Sequence, residues 1–189
     1  GWETADAQGT GLVARVFAAA SRQLTGEIAL NSTTAGPQES LAVAMAPLGS
    51  FVAAWESADA DSTGIVARQF TADGTPAGDE IAVNTTTAGD QGDPVVAVDA
   101  QGRFVVTFTS GDDIVGQRFA AAGTPLAGEF TVNSTTAGVQ ESSSLSMTRD
   151  GQFVVSWQGP DADGTGIFAQ RYAADGTTAG TCLLYTSDA

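Results

Sequence analysis

Asn31-Ser-Thr-Thr-Ala-Gly36 returns as Asn84-Thr-Thr-Thr-Ala-Gly89 and again as Asn133-Ser-Thr-Thr-Ala-Gly138. Each copy is followed by one variable residue and a glutamine: Gln38, Gln91 and Gln140. A polar phrase repeated at wide, regular spacing is the signature of a repeat architecture. The aromatics keep the same beat. Trp2, Phe17, Phe51 and Trp55 are followed by Phe70, Phe104 and Phe108, then by Phe119, Phe153 and Trp157, and finally by Tyr172. From Trp2 to Trp55 and from Trp55 to Phe108 the period is 53 residues, and from Phe108 to Trp157 it is 49. The four missing residues all fall between Phe108 and Phe119, which marks that segment as a loop tolerant of length change.

Within each period four segments read as strands. The first is LAVAMA from Leu41, VVAVDA from Val95 and SLSMT from Ser144. The second is SFVAAW, RFVVTF and QFVVSW; the third is GLVARVF, GIVARQF, DIVGQRF and GIFAQRY; the fourth is GEIALN, DEIAVN and GEFTVN. Turn pairs such as Asp73-Gly74, Gln101-Gly102 and Asp150-Gly151 separate these β-branched and aromatic runs, as hairpins require. No segment has helical periodicity. In the second strand Phe104, Val106 and Phe108 alternate with Val105 and Thr107, so both faces are largely apolar and the strand is expected between neighbouring sheets. Ile81 and Val83 alternate with Glu80, Ala82 and Asn84, as in a partly solvated outer strand. Four antiparallel strands per period of about 50 residues predict the blade of a β-propeller. The fold class expected is therefore all-β, with the NSTTAG-x-Q phrase carrying the chain from the last strand of one blade to the first of the next. The recurrent glutamine is expected to pin that crossover by bonding backbone groups.

The spacing yields two complete blades, the last two strands of an earlier one and three strands of a later one, so a fragment of a larger ring is expected. The repeats divide as 2–54, 55–107, 108–156 and 157–181. Gly1-Trp2 begins in mid-pattern, so an earlier start is expected. A glutamate stands ten residues after the aromatic in three copies, at Glu27, Glu80 and Glu129, but Cys182 takes that place after Tyr172. The run Cys182 to Ala189, CLLYTSDA, resembles the translation of a sequencing-library adapter, so residues 182–189 are expected to be a non-native tail. On that reading the lone cysteine carries no information on redox compartment.

The runs Gly151-Gln-Phe-Val-Val-Ser-Trp157, Asp161-Ala-Asp-Gly-Thr-Gly-Ile-Phe-Ala-Gln-Arg-Tyr172 and Gly128 to Gln140 carry a resemblance. They resemble the tandem repeats of about fifty residues in very large bacterial secreted or surface proteins, which often also carry RTX-type calcium repeats or cadherin-like domains. The resemblance covers residues 2–181. It implies an extracellular or cell-surface setting and a structural or adhesive role, with further blades and domains of the same polypeptide as partners, and glycans or surface proteins beyond them. The glycine-rich nonapeptides of RTX repeats are absent, so their calcium roll does not carry over.

Charge and composition exclude several functions. Acidic residues number 22 against 7 arginines, with no lysine or histidine, giving a net charge of −15. Such a surface repels phosphate backbones and anionic membranes, and no apolar run is long enough to span a bilayer. Without histidine, and with the one cysteine read as non-native, there is no Ser-His-Asp or Cys-His system and no zinc site of usual ligand type. The sialidase Asp-box pattern, S-x-D-x-G-x-T-W, is also absent. The best chemical candidate is the loop between second and third strands, where Asp161-x-Asp163-Gly164 and Asp59-x-Asp61 resemble the opening of a calcium loop. Neither copy has the remaining ligands of a full loop; the first copy keeps only Asp6 and the third is reduced to Asp112-Asp113. Asp-Gly pairs are also ordinary turn formers. The candidate metal residues are therefore Asp59, Asp61, Asp161 and Asp163, with Ca²⁺ as the one cofactor considered and a plain turn as the competing reading. Asn31, Asn84 and Asn133 match glycosylation sequons. Arg15, Arg68, Arg118 and Arg171 are expected to pair with carboxylates of the Glu80 type. The tryptophans fit blade core better than a sugar platform. The sequence thus points to a non-catalytic extracellular repeat module. A carbohydrate-binding or carbohydrate-cleaving propeller, the latter using paired carboxylates, is the alternative.

Overall fold

The computed structural model describes residues 1–5, 10–18 and 23–185. Fifteen strands fall into four antiparallel sheets. The first contains β1 (Trp2–Ala5), β2 (Thr10–Ala14) and β3 (Ile28–Ala29). The second runs β4 (Gln38–Met45), β5 (Phe51–Ala58), β6 (Thr63–Phe70), β7 (Ile81–Ala82). The third runs β8 (Gln91–Val98), β9 (Phe104–Ser110), β10 (Asp113–Phe119), β11 (Phe130–Thr131). The fourth runs β12 (Glu141–Met147), β13 (Phe153–Pro160), β14 (Thr165–Tyr172), β15 (Leu183–Tyr185). Strand order follows chain order in every sheet, and successive sheets stack face to face, so the chain is an arc of a β-propeller.

One more strand stands at each end of the arc than the spacing predicts. β1 pairs with β2, and Leu183 pairs with Ala169 at the register that Ile81 holds against Ala67. The first strand of each blade also begins earlier than predicted. Gln38, Gln91 and Glu141 already pair across to Ser57, Ser110 and Gln158. Pro94 and the polar run before Val95 disguised this, because a proline inside a strand normally argues against it. The 49-residue period has a simple cause: the four-residue connections 59–62 and 161–164 shrink to Gly111-Asp112, and β9 and β10 are each one residue shorter than their counterparts.

The packing rule is the same at every junction. The aromatic face of one sheet lies on the aliphatic face of the sheet before it. Phe51, Trp55 and Phe70 cover Leu12, Ala14 and Leu30. Phe104, Phe108 and Phe119 cover Val52, Ile65 and Val83, and Phe153, Trp157 and Tyr172 cover Val105, Ile114 and Val132. Phe104 and Trp157 are 1% and 2% exposed, and on the opposite face of β9 Val105 and Thr107 are 2% and 0%, so in the second and third sheets the second strand is hidden on both sides as its pattern requires. Aromatic neighbours on paired strands stack: Phe51 on Phe70, Phe104 on Phe119 and Phe153 on Tyr172, with centroids 4.8, 4.6 and 4.6 Å apart. Each such pair adds roughly 0.5–1.5 kcal/mol beyond its buried area. Glycines at positive φ in the turns before the fourth strand let successive sheets approach. A Cβ on Gly74 would come within 2.2 Å of Ile28 Cδ1, and one on Gly123 within 2.7 Å of Ile81 Cδ1.

The repeated polar phrase is a joint between sheets. Asn31, Asn84 and Asn133 each accept a backbone N–H from the third strand, at Leu12, Ile65 and Ile114 (2.7–2.8 Å), and each donates to the carbonyl two residues on. Asn84 is consequently buried, which corrects the expectation of a solvated outer position. Gln38 and Gln140 accept the indole N–H of Trp55 and Trp157 at 2.9 and 3.1 Å, while their amides donate to crossover carbonyls. Where Phe108 replaces tryptophan, Gln91 instead accepts from Asn84 Nδ2 at 2.8 Å. The glutamine pins the crossover as its recurrence suggested.

The next sheet then clasps the phrase with a glutamate. Glu80 accepts from the amide and hydroxyl of Ser32 and from the amide (3.0 Å) and hydroxyl (2.6 Å) of Thr33. Glu129 likewise accepts from the amides of Thr85 and Thr86 and from the hydroxyl of Thr86. Partial burial pushes the Glu80 carboxyl upward, but these hydrogen bonds outweigh it and hold its pKa below the ordinary value. The arginines predicted to pair with such carboxylates mostly do not. Among the described residues only Arg15 forms the pair, with Glu27 at 3.1 Å. Arg68 donates to the carbonyls of Gly78 and Leu30, and Arg118 to those of Ala174 and Asp175. The glutamates are already occupied by the preceding crossover.

Candidate functional site

The inner strands β4, β8 and β12 share an irregularity. Pairing shifts register between Glu39 and Ala42, between Gly92 and Val95, and between Glu141 and Ser144. At the same place in each, a residue with a side chain adopts the left-handed conformation: Ser40 (φ 52°), Asp93 (φ 51°) and Ser142 (φ 55°). Such a conformation costs on the order of 1–3 kcal/mol and persists only where surroundings enforce it. At Asp93 they are visible. Glu56 Oε1 accepts the Asp93 amide at 2.8 Å, and Thr109 Oγ1 donates to the Gly92 carbonyl at 3.0 Å. Pro94 fits because its missing N–H falls where the ladder is interrupted.

The three bulges face one another across the concave side of the arc. They line a cleft of about 450 Å³ formed by Ser40, Asp93, Pro94, Val95, Glu141, Ser142 and Ser143, a size typical of small-molecule sites. Asp93, Glu141, Ser40 and Ser142 are exposed within it, and Thr107 Oγ1 and Ser143 Oγ are 3.4 Å apart at its wall. None of these residues was singled out from the sequence. The only available signal was polar residues where the repeat calls for a strand, and it reads equally well as a loop.

Charge is segregated along the sheets. The bulges, the β5–β6, β9–β10 and β13–β14 connections and the glutamine ends of the crossovers lie at one end. The six arginines among the described residues lie at the other, late in the third strand or in the turns between first and second strands. The cleft therefore opens on an acidic end that disfavours phosphate or sulfate and suits hydroxyl-rich neutral ligands or cations.

The predicted metal residues lie in the connections at this end, outside the cleft lining. Asp59 Oδ1 accepts the amides of Asp61 and Ser62, both at 2.9 Å, and these bonds lower its pKa. Asp61 accepts the Gly89 amide at 3.0 Å, and Asp161 accepts that of Asp163 at 3.0 Å. The four carboxylates are divided between two connections, Asp59 with Asp61 and Asp161 with Asp163. Among the described residues no group of three or more carboxylates or thiols is gathered as an ion would need. Asp113 accepts from Asn133 Nδ2 at 2.6 Å, and Asp6 lies outside the described residues. Trp55 and Trp157 are core, as expected, and the buried side chains of Asn84 and Asn133 are committed to the crossover rather than presented as sequons.

No protein-family model matches the chain, and no curated protein does. Solved structures do. An endo-arabinase from Bacteroides thetaiotaomicron is similar at a TM-score of 0.51 and 17% identity, over 82% of this chain and 66% of that one. The Hadza microbial sialidase Hz136 is similar at a TM-score of 0.50 and 15% identity, over 75% of this chain and 36% of that one. The chain spans less than two thirds of either protein, and at these identities the likeness establishes the fold alone: an all-β arc of propeller blades.

Proposed function

We propose that this chain is a carbohydrate-binding propeller segment whose ligand site is the cleft between the bulges of β4, β8 and β12. The observation that carries the reading is the recurrence of Ser40, Asp93 and Ser142 in a costly backbone conformation around one concave, hydroxyl- and carboxylate-lined space. Carboxylates and serine hydroxyls accept and donate to the vicinal hydroxyls of a sugar, and an acidic rim accepts neutral polyols while repelling sulfated or phosphorylated chains. The arabinase and the sialidase with the same fold support a saccharide as ligand. A non-catalytic binding role in an extracellular setting agrees with the repeat's resemblance to bacterial surface proteins.

A glycan array followed by calorimetry tests this. The chain should retain neutral oligosaccharides, and Asp93→Asn combined with Glu141→Gln should weaken retention at least about tenfold, the equivalent of roughly 1.4 kcal/mol. Failure of the unaltered chain to bind any glycan, or binding indifferent to both substitutions, would overturn the assignment. Release of reducing ends from a bound oligosaccharide would extend it from binding to hydrolysis.

A further inference from the structure

The two ends of the arc present complementary halves of the junction repeated inside it. In the fourth sheet Val154 and Ile167 are 36% and 50% exposed, whereas Val105 and Ile114, their counterparts, are 2% and 0%. Beside them lies a groove of about 270 Å³ lined by residues that include Thr148, Gln152, Phe153, Val154, Arg171 and Tyr172. The counterpart groove in the third sheet, around Asp99, Arg103, Phe104, Val105, Arg118 and Phe119, is reduced to about 10 Å³ because Ala174 of the following sheet enters it. Arg118 seals that contact by donating to the carbonyls of Ala174 (2.9 Å) and Asp175, and Gln69 does so one junction earlier with the carbonyl of Ala121 (3.0 Å). Arg171 holds the same position in the fourth sheet and is exposed. At the other end Trp2 and Phe17 are 43% and 53% exposed, while Trp55 and Phe70, which occupy their places one repeat on, are 0% and 1%.

We propose that these two faces, where further blades of a longer polypeptide would stack, bind each other between two copies of the 189-residue chain. The aromatic face of one first sheet stacks on the aliphatic face of the partner's fourth sheet, continuing the rule of all three internal junctions. The contact is head to tail, so it either closes a ring or grows without limit. Two arcs of four sheets make eight, within the 4–8 blades that propellers use, and two copies related by a two-fold axis satisfy both ends at once. The net charge of −15 opposes this union, so salt strengthens it by screening.

Sedimentation velocity on the 189-residue chain, from about 1 to 100 µM in roughly 0.05 and 0.5 M NaCl, reads the outcome. A species of twice the 19.0 kDa chain mass is expected, favoured by concentration and by salt. Ile167→Glu and Trp2→Glu, at opposite ends, should each raise the dissociation constant at least about 30-fold. Leu48→Glu, on an exposed turn away from both faces, should leave it unchanged. Circular dichroism of each variant checks that the fold persists, and Phe17→Glu serves if Trp2→Glu fails that check. A monomer at every concentration and salt, a dimer indifferent to the end substitutions, or an open series of higher polymers would each overturn the ring.

Discussion

Glu80→Ala tests the idea that the repeated polar phrase is a joint held from the neighbouring sheet. In the fold this carboxylate receives two amides and two hydroxyls from Ser32 and Thr33, some fifty residues away in the chain. A hydrogen bond to a charged group is worth about 1.5–3 kcal/mol when desolvated. Ser32 and Thr33 are exposed, however, so water replaces part of what is lost and the sum is discounted heavily. A net loss of about 1–2 kcal/mol remains, equivalent to roughly 2–8 °C in melting temperature for a chain of this size. Glu27 supplies the control. It occupies the same place in the repeat, and among the described residues its partner is Arg15 at the surface, so Glu27→Ala should stay within about 0.5 kcal/mol of the parent. Urea unfolding at low protein concentration measures both, and an unchanged slope would show that only stability moved. The pH dependence adds a second reading. Because the folded-state pKa of Glu80 is depressed, the clasp contributes fully above the ordinary glutamate value of 4.5, and its contribution is lost as pH falls through the lower folded value. Glu80→Ala should therefore remove part of the acid sensitivity. Equal stabilities for the Glu80 and Glu27 variants would refute the clasp.

Cys182→Glu restores the glutamate missing from the fourth repeat and should stabilise the chain by about 1 kcal/mol through Ser134 and Thr135, read as a higher urea midpoint; no gain argues against transferable clasps. Gln38→Ala leaves the buried Trp55 indole N–H without its acceptor and should cost about 1–3 kcal/mol in the same assay. Burial pushes the Tyr172 hydroxyl up to about 12, with Cys182 adding to the effect, so alkaline absorbance titration should find one tyrosine ionising late; its raised pKa means the associated stability is present below the ordinary value of 10.0 and lost as pH rises toward 12. Millimolar Ca²⁺ should leave the melting midpoint of the chain and of Asp161→Ala/Asp163→Ala alike, since these carboxylates fit turn chemistry; a calcium-dependent rise abolished by the double substitution would assign an ion to the loop.

The sequence made the stacking legible and left the cleft hidden, for one reason seen from two sides. Phe104, Val106 and Phe108 against Val105 and Thr107 is a local pattern whose meaning, burial on both faces, needs no knowledge of the partner. The glutamine's role was readable too, because its partners lie within a few residues of it or on the paired strand. Glu80 and Arg68 do not pair because Glu80 is taken by a crossover nearly fifty residues earlier, while Arg68 divides between the Gly78 carbonyl of its own repeat and the Leu30 carbonyl before that crossover, and no local pattern encodes the distant partners. The cleft is the extreme case: Ser40, Asp93 and Ser142 are ordinary surface residue types, about fifty positions apart, that gain meaning only when three bulges are brought around one hollow.

Packing in the arc runs between successive sheets, and the first two crossovers are each secured by a glutamate of the sheet that follows. Pulled from its two ends, such a chain should yield in steps, an outer blade peeling away while its neighbours hold. A step that frees a full repeat would lengthen the molecule by a segment of 53 or 49 residues, roughly 160–190 Å when fully drawn out. An arc built this way should absorb a pull in instalments and refold blade by blade when the load is gone.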